Sequence, residues 1–126
     1  MAGSQGSSGG QPRRVLVVED EILIGMLLED MLGDLGYEVA ATASRVDEAV
    51  KLAHEVSVDA AILDVNLNGQ DVYPVAEVLA ARGIPFVFAT GYGERGLPQA
   101  YHERPTLPKP FQQETLGRKL AGLFHS

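Results

Sequence analysis

Three short stretches, Val15-Leu16-Val17-Val18, Ala60-Ala61-Ile62-Leu63 and Pro85 to Ala89, are apolar at consecutive positions rather than at alternate ones. A strand with one wet face alternates apolar and polar residues, so an unbroken run marks a strand buried on both sides. Such strands need helices above and below, and the intervening segments have a helical period. Ile24, Leu27, Leu28, Met31 and Leu35 follow the i, i+3, i+4, i+7 spacing of one apolar face, and Gly36 is placed to end that helix in the left-handed conformation. Tyr37 to Ala43 is a further strand. Ser44, with Asp47 three residues on, reads as the cap of a second helix whose apolar face is Val46, Ala49, Val50 and Ala53. A loop over Val65 to Gly69 leads to a third helix from Asp71 to Ala81, stopped near Gly83. Gly91 to Pro98 is too rich in Gly and Pro for a rigid helix. A short strand at Thr106-Leu107 and a last helix carrying Leu116, Leu120, Leu123 and Phe124 complete the pattern. The expected fold is α/β: a doubly wound parallel sheet covered on both faces.

Composition narrows the class. The 126 residues fit one domain, placed at residues 13–126. Residues 1–12 read as a flexible, Gly/Ser-rich tail, expected to be an addition to the native sequence. No cysteine is present, which excludes disulfides, Cys-based zinc sites and thiol catalysis. No apolar run approaches the ~20 residues of a membrane span, and the expected location is cytoplasmic. The net charge is −7, with 11 acidic against 4 basic residues in 1–63 and 6 against 6 in 64–126. The acidic excess crowds around residues 19–34, and no Lys/Arg cluster could track a phosphate backbone, so nucleic-acid binding is not expected.

In sheets of this kind ligands bind beyond the carboxyl ends of the strands. Those ends carry Glu19-Asp20, Asp64, Thr90 and Lys109. Singly, each has a dull explanation: an acid after a strand is usually a helix cap, a Thr a turn residue, a Lys a solvated charge. Together they differ. Crowded carboxylates repel unless a divalent cation sits among them, and such oxygen ligands suit Mg²⁺. A hydroxyl and a mobile lysine suit phosphoryl oxygens, so the set is that of a phosphoryl-transfer site.

Val17-Val18-Glu19-Asp20-Glu21, Ile62-Leu63-Asp64-Val65-Asn66-Leu67, Ala89-Thr90-Gly91 and Leu107-Pro108-Lys109-Pro110-Phe111 resemble, in order, the motifs of the receiver domain of two-component response regulators. The likeness runs from about Arg14 to Phe124. It implies a flavodoxin-like, five-stranded parallel sheet in the order 2-1-3-4-5 with five helices. It also implies Asp64 as phosphoacceptor, with Mg²⁺ held by Asp20, Asp64 and the backbone carbonyl of Asn66, and by Glu19 through water. Thr90 and Lys109 would bind the phosphoryl group, and the peptide before Pro110 would be cis. The implied donor is a histidine kinase or histidine phosphotransfer protein, and the phosphorylated chain would act on an unknown downstream protein. Pro85 to Tyr92 resembles the "FATGUY" group of mostly stand-alone receivers of alphaproteobacterial stress signalling. Two departures from ordinary receivers accompany it: an atypical fourth helix, and Thr106 where a switching aromatic is usual.

An aspartate-nucleophile phosphatase is the main enzymatic alternative, but its nucleophile precedes the acidic pair, and Asn66 cannot shuttle a proton. A docking-only pseudo-receiver would lack a site residue, and none is missing here. The chain is expected to be a complete single-domain regulator rather than a receiver cut from a hybrid kinase or larger regulator. Ile22, Leu23 and Met26 add apolar positions to the first helix beyond its core face and make it the expected docking surface for the donor. Tyr92, between Gly91 and Gly93, is the expected relay of the phosphorylated state.

Overall fold

The computed structural model describes residues 12–91 and 97–124. Its strands are β1 (Arg14–Val18), β2 (Glu38–Ala43), β3 (Ala60–Asp64), β4 (Asn66–Leu67), β5 (Gln70–Asp71), β6 (Phe86–Thr90) and β7 (Thr106–Pro108). The helices described are α1 (Ile22–Asp34), α2 (Val46–Glu55), α3 (Tyr73–Ala81) and α4 (Gln113–Phe124), with a 3₁₀ turn at Gln99–Tyr101. The main sheet is parallel throughout, in the order β2-β1-β3-β6-β7. Counting only the strands of that sheet, this is the 2-1-3-4-5 order. Where an atypical fourth helix was expected, the described residues hold only the 3₁₀ turn.

The unbroken apolar runs are explained by the two sides of the sheet. Leu16, Val18, Ala61, Leu63, Phe86 and Phe88 pack with α2 and α3. Val15, Val17, Ile62, Val87 and Ala89 pack with α1 and α4. Successive strand residues point to opposite faces, so every position in a doubly covered strand is interior. Glycine ends α1 and α3. Gly36 and Gly83 have φ of +89° and +72°, and the following amides of Tyr37 and Ile84 donate to the carbonyls of Leu32 and Leu79 at 2.9 Å. This is the Schellman pattern, in which the left-handed residue carries no Cβ penalty.

Four local expectations need correction. Leu27 lies off the core face and is exposed, whereas Leu32 is fully buried in its place. Ser44 does not cap α2 through its side chain; its amide donates to Glu48 Oε1 at 3.1 Å, and Asp47 pairs with Arg45 instead. The presumed loop after Asp64 is a hairpin of β4 and β5, with Asn66 paired to Asp71 and Leu67 to Gln70. Asn68 and Gly69 turn it with φ of +54° and +80°, the signs required by a type I′ turn. Asp71 therefore belongs to β5, and α3 begins at Tyr73 with a proline in its first turn.

Candidate functional site

Between β1 and β3 the direction of winding reverses, since β2 lies on one side of β1 and the remaining strands on the other. The crevice at their carboxyl ends is a cleft of about 580 Å³ whose lining includes Asp20, Asp64, Asn66, Thr90 and Lys109. Glu19 follows β1, and Asp64 and Thr90 are the last residues of β3 and β6. One carboxylate oxygen from each of Glu19, Asp20 and Asp64 falls within 4.8 Å of the others. The structure thus brings together the residues that the sequence could only place at separate strand ends.

Lys109 reaches this cluster from the loop after β7. Its Nζ lies 3.2 Å from Asp64 Oδ2 and 3.5 Å from Glu19 Oε1. The Lys109–Pro110 peptide is cis. Burial alone would lower the lysine's pKa, but the charges of Asp64 and Glu19 outweigh it and raise the value. Glu19 responds in the opposite sense. Its burial pushes the carboxyl up from 4.5 to about 7, and the neighbouring charge of Asp64 adds to the shift. The Glu21 amide, donating to Glu19 Oε2 at 3.1 Å, and Lys109 oppose it without cancelling it.

The other carboxylates are steered by backbone. The Asn66 amide donates to Asp64 Oδ1 at 3.3 Å, and the Asn68 amide donates to Asp20 Oδ2 at 3.1 Å. Asn66 Oδ1 accepts the Gly69 amide at 2.8 Å, fixing the hairpin turn on which Asn68 sits. The hairpin is therefore part of the site. Asn68 was missed by the sequence reading, although an Asn-Gly pair after a strand is a strong turn signal. Tyr73 was missed as well. It lines the cleft from the start of α3, and no local pattern marks a helix's first residue as site-facing.

Glu19 Oε1 is buried and has no hydrogen-bond partner. A buried oxygen met only by the Lys109 ammonium at 3.5 Å, beside two further carboxylates, fits a hydrated hard cation, which presents water as a donor and positive charge to all three. The carboxylates of Glu19, Asp20 and Asp64 thus suit a hard divalent cation such as Mg²⁺. Of the remaining candidates, Ile22 and Met26 lie exposed on α1, together with Leu23 and Leu27. Tyr92 lies outside the described residues.

Comparison with known proteins points the same way. A model of the response regulator receiver domain family matches residues 15–121. The transcriptional regulatory protein PdtaR of Mycobacterium tuberculosis is 38% identical over 104 residues, covering 79% of this chain and 51% of PdtaR. The chain therefore spans about half the length of that relative. The solution structure of SdrG from Sphingomonas melonis Fr1 is 45% identical with a TM-score of 0.80, over 90% of this chain and 97% of SdrG. The receiver domain of sensor histidine kinase PA1611 from Pseudomonas aeruginosa PAO1, solved with magnesium coordinated in its active-site cleft, has 27% identity and a TM-score of 0.78. It covers 92% of this chain and 100% of that domain.

Proposed function

Because the chain belongs to the response regulator receiver domain family, we propose that it is a phosphorylation-activated switch in which Asp64 accepts a phosphoryl group from a histidine donor. The family's members are signalling proteins of two-component systems rather than enzymes acting on exogenous substrates. The observation that carries the reading is the meeting of Glu19, Asp20 and Asp64 carboxylates with the Lys109 ammonium at the winding reversal.

In this mechanism Asp64 Oδ attacks the phosphorus of a phosphohistidine protonated on its other ring nitrogen, forming an acyl phosphate as the P–N bond breaks and its electron pair leaves on a neutral imidazole. Bound Mg²⁺ would neutralise charge on the transferring group, with the Asn66 carbonyl beside Asp20 and Asp64 in its shell. Lys109, paired with Asp64 beforehand, follows the negative charge onto the phosphoryl oxygens. Thr90, ending β6 next to β3, supplies a hydroxyl to the same group. Lys109 already stands 3.2 Å from Asp64 before transfer, which is part of the preorganisation such a step requires.

The donor is read as a histidine kinase or histidine phosphotransfer protein that docks on α1. Ile22, Leu23, Met26 and Leu27 form an exposed apolar strip, Ile22 and Leu23 at 79% and 80% exposure, starting two residues after Asp20. A helix laid along that strip would bring its histidine to the cleft. No helix among the described residues is long and apolar enough to cross a membrane. A cytoplasmic location is proposed from the family, as is kinship with the stand-alone stress regulators. Tyr92 remains proposed as a contributor to output.

Incubation with Mg²⁺ and acetyl phosphate, followed by intact mass, tests the central claim. One phosphoryl group is expected on the parent chain and none on Asp64→Asn; labelling of that variant elsewhere, or steady release of phosphate, overturns it. Met26→Lys is expected to slow transfer from the cognate histidine donor roughly tenfold while leaving acetyl phosphate labelling unchanged. Equal slowing of both reactions removes the docking role of α1.

A further inference from the structure

Tyr73 belongs at once to the cleft and to the aromatic cluster beside the 3₁₀ turn at Gln99–Tyr101. It lines the cavity that holds Asp64, Thr90 and Lys109. Its ring is stacked on Tyr101 of the 3₁₀ turn, with centroids 5.4 Å apart and planes 13° from parallel. Both rings meet Phe88 edge-on, at 5.9 Å for Tyr73 and 5.3 Å for Tyr101. Phe88 is fully buried and stands two residues before Thr90 in β6. Its cross-strand neighbour on β7 is Thr106, which has no ring to move. The stack is thus an aromatic route from the cleft to the 3₁₀ turn.

We propose that Tyr73 senses the phosphoryl group on Asp64, and that its stack with Tyr101 passes the phosphorylated state to residues 97–105. The inference rests on Asp64 being the phosphoacceptor. An acyl phosphate brings three oxygens and added negative charge into a cleft that Tyr73 lines together with Asp71. Burial, then the charge of Asp71, raises the phenol's pKa above its ordinary value, so at neutral pH its hydroxyl is a hydrogen-bond donor. A donor at the rim is drawn toward the new oxygens, and the ring cannot follow without altering its face contact with Tyr101. Tyr101 then keeps only its edge contact with Phe88, and the 3₁₀ turn that carries it must shift or loosen. Two-state elements are biased in this way when a ligand favours one arrangement over the other.

The test is NMR of the full chain with Mg²⁺, titrated with beryllofluoride as a mimic of the phosphoryl group, for the parent, Tyr73→Leu, Tyr101→Leu and Tyr73→Phe. In the parent, amides of residues 65–68 and of 97–105 should both shift. In Tyr73→Leu and Tyr101→Leu the shifts at 65–68 should persist while those at 97–105 are lost, because both lack a ring of the stack. Tyr73→Phe keeps the ring but lacks the donor, so it should retain the Tyr101 contacts without the beryllofluoride response at 97–105. A full response at 97–105 in Tyr73→Leu and Tyr101→Leu overturns the relay alone, and a full response in Tyr73→Phe overturns the sensing role of the hydroxyl. Absence of shifts at 65–68 in the parent overturns the phosphoacceptor reading, and the relay with it.

Discussion

Two banks of the molecule, one at the carboxyl edge of the sheet and one along β6, are built on opposite principles. Beyond β1 and β3 stand three carboxylates within 4.8 Å of one another, answered by a single lysine. Beside β6, Phe86, Phe88, Tyr73 and Tyr101 form a chain of edge-on and stacked rings, with the Arg104 guanidinium 4.7 Å above Phe86. The acidic bank is unfavourable by itself, as the upward push on Glu19 shows. The aromatic bank is favourable by itself, through burial and ring geometry. The domain therefore holds a strained ligand site against a well-packed support. Substitutions in the two banks should change stability with opposite signs, a local form of the trade between function and stability.

The hardest way to break that contrast is to empty the aromatic bank. Phe88 is completely buried and touches Phe86, Tyr73 and Tyr101. Phe88→Ala removes a large side chain from a packed interior and should lower the free energy of unfolding by about 3–5 kcal/mol. Urea denaturation reads this directly. A loss below ~1 kcal/mol would mean that the rings are decoration on a core held elsewhere.

The acidic bank should answer differently. Asp20→Asn removes one charge from the cluster and keeps the side chain's size, including an acceptor for the Asn68 amide. Mg²⁺ affinity should fall by about tenfold or more, equivalent to ~1.4 kcal/mol. In chelator the same variant should unfold no earlier than the parent, because one carboxylate fewer stands in a cluster whose oxygens lie within 4.8 Å of one another. A calorimetric titration and a melt in chelator check the two halves, and destabilisation in chelator would contradict the picture of a strained bank.

How much of this was legible in the sequence follows the same division. The acidic bank was read almost completely, because parallel topology delivers strand ends to one edge, and Glu19, Asp20, Asp64, Thr90 and Lys109 each stand at such an end. The doubly apolar runs announced the sheet for a similar reason: burial on two faces leaves no room for alternation. The aromatic bank was not read, since Tyr73, Phe88 and Tyr101 come from α3, β6 and the 3₁₀ turn, and no periodicity links them. Tyr92, the aromatic nearest Thr90 along the chain, lies outside the described residues, and Tyr73 lines the cleft from a helix start that no spacing to Thr90 marks. The hairpin after Asp64 fell between these cases. Its Asn68-Gly69 turn signal was present, but two-residue strands are too short to show a period. Leu27 was misplaced because α1 is apolar over more than one face, so spacing alone could not choose which stripe is buried.

The smallest expected effect is the sharpest test of the strain. Glu19 titrates near 4.5 when unperturbed and near 7 in the fold, so the folded state holds its proton more tightly than the unfolded chain does. Below the lower value the group is protonated in both states and is neutral to stability. Between the two values the unfolded chain sheds its proton first, which favours unfolding increasingly as pH rises. Above the higher value both states are ionised and the penalty stays constant. The stabilising contribution of protonated Glu19 is thus lost on raising the pH through about 7. Glu19→Gln keeps a neutral side chain of the same shape and should behave as the protonated form throughout. In chelator, parent and variant should therefore be nearly equal at about pH 4, with the variant more stable at about pH 8. The gain should be on the order of 1 kcal/mol once the water in the open cleft has screened part of the effect. Mg²⁺ should reverse the ranking at the higher pH, because the cation needs the carboxylate that the variant lacks. Denaturation curves across the pH range, with and without Mg²⁺, provide the measurement. A difference between parent and variant that does not vary with pH would show that Glu19 is not the strained group, and the contrast between the banks would then rest on Asp20 and Asp64 alone.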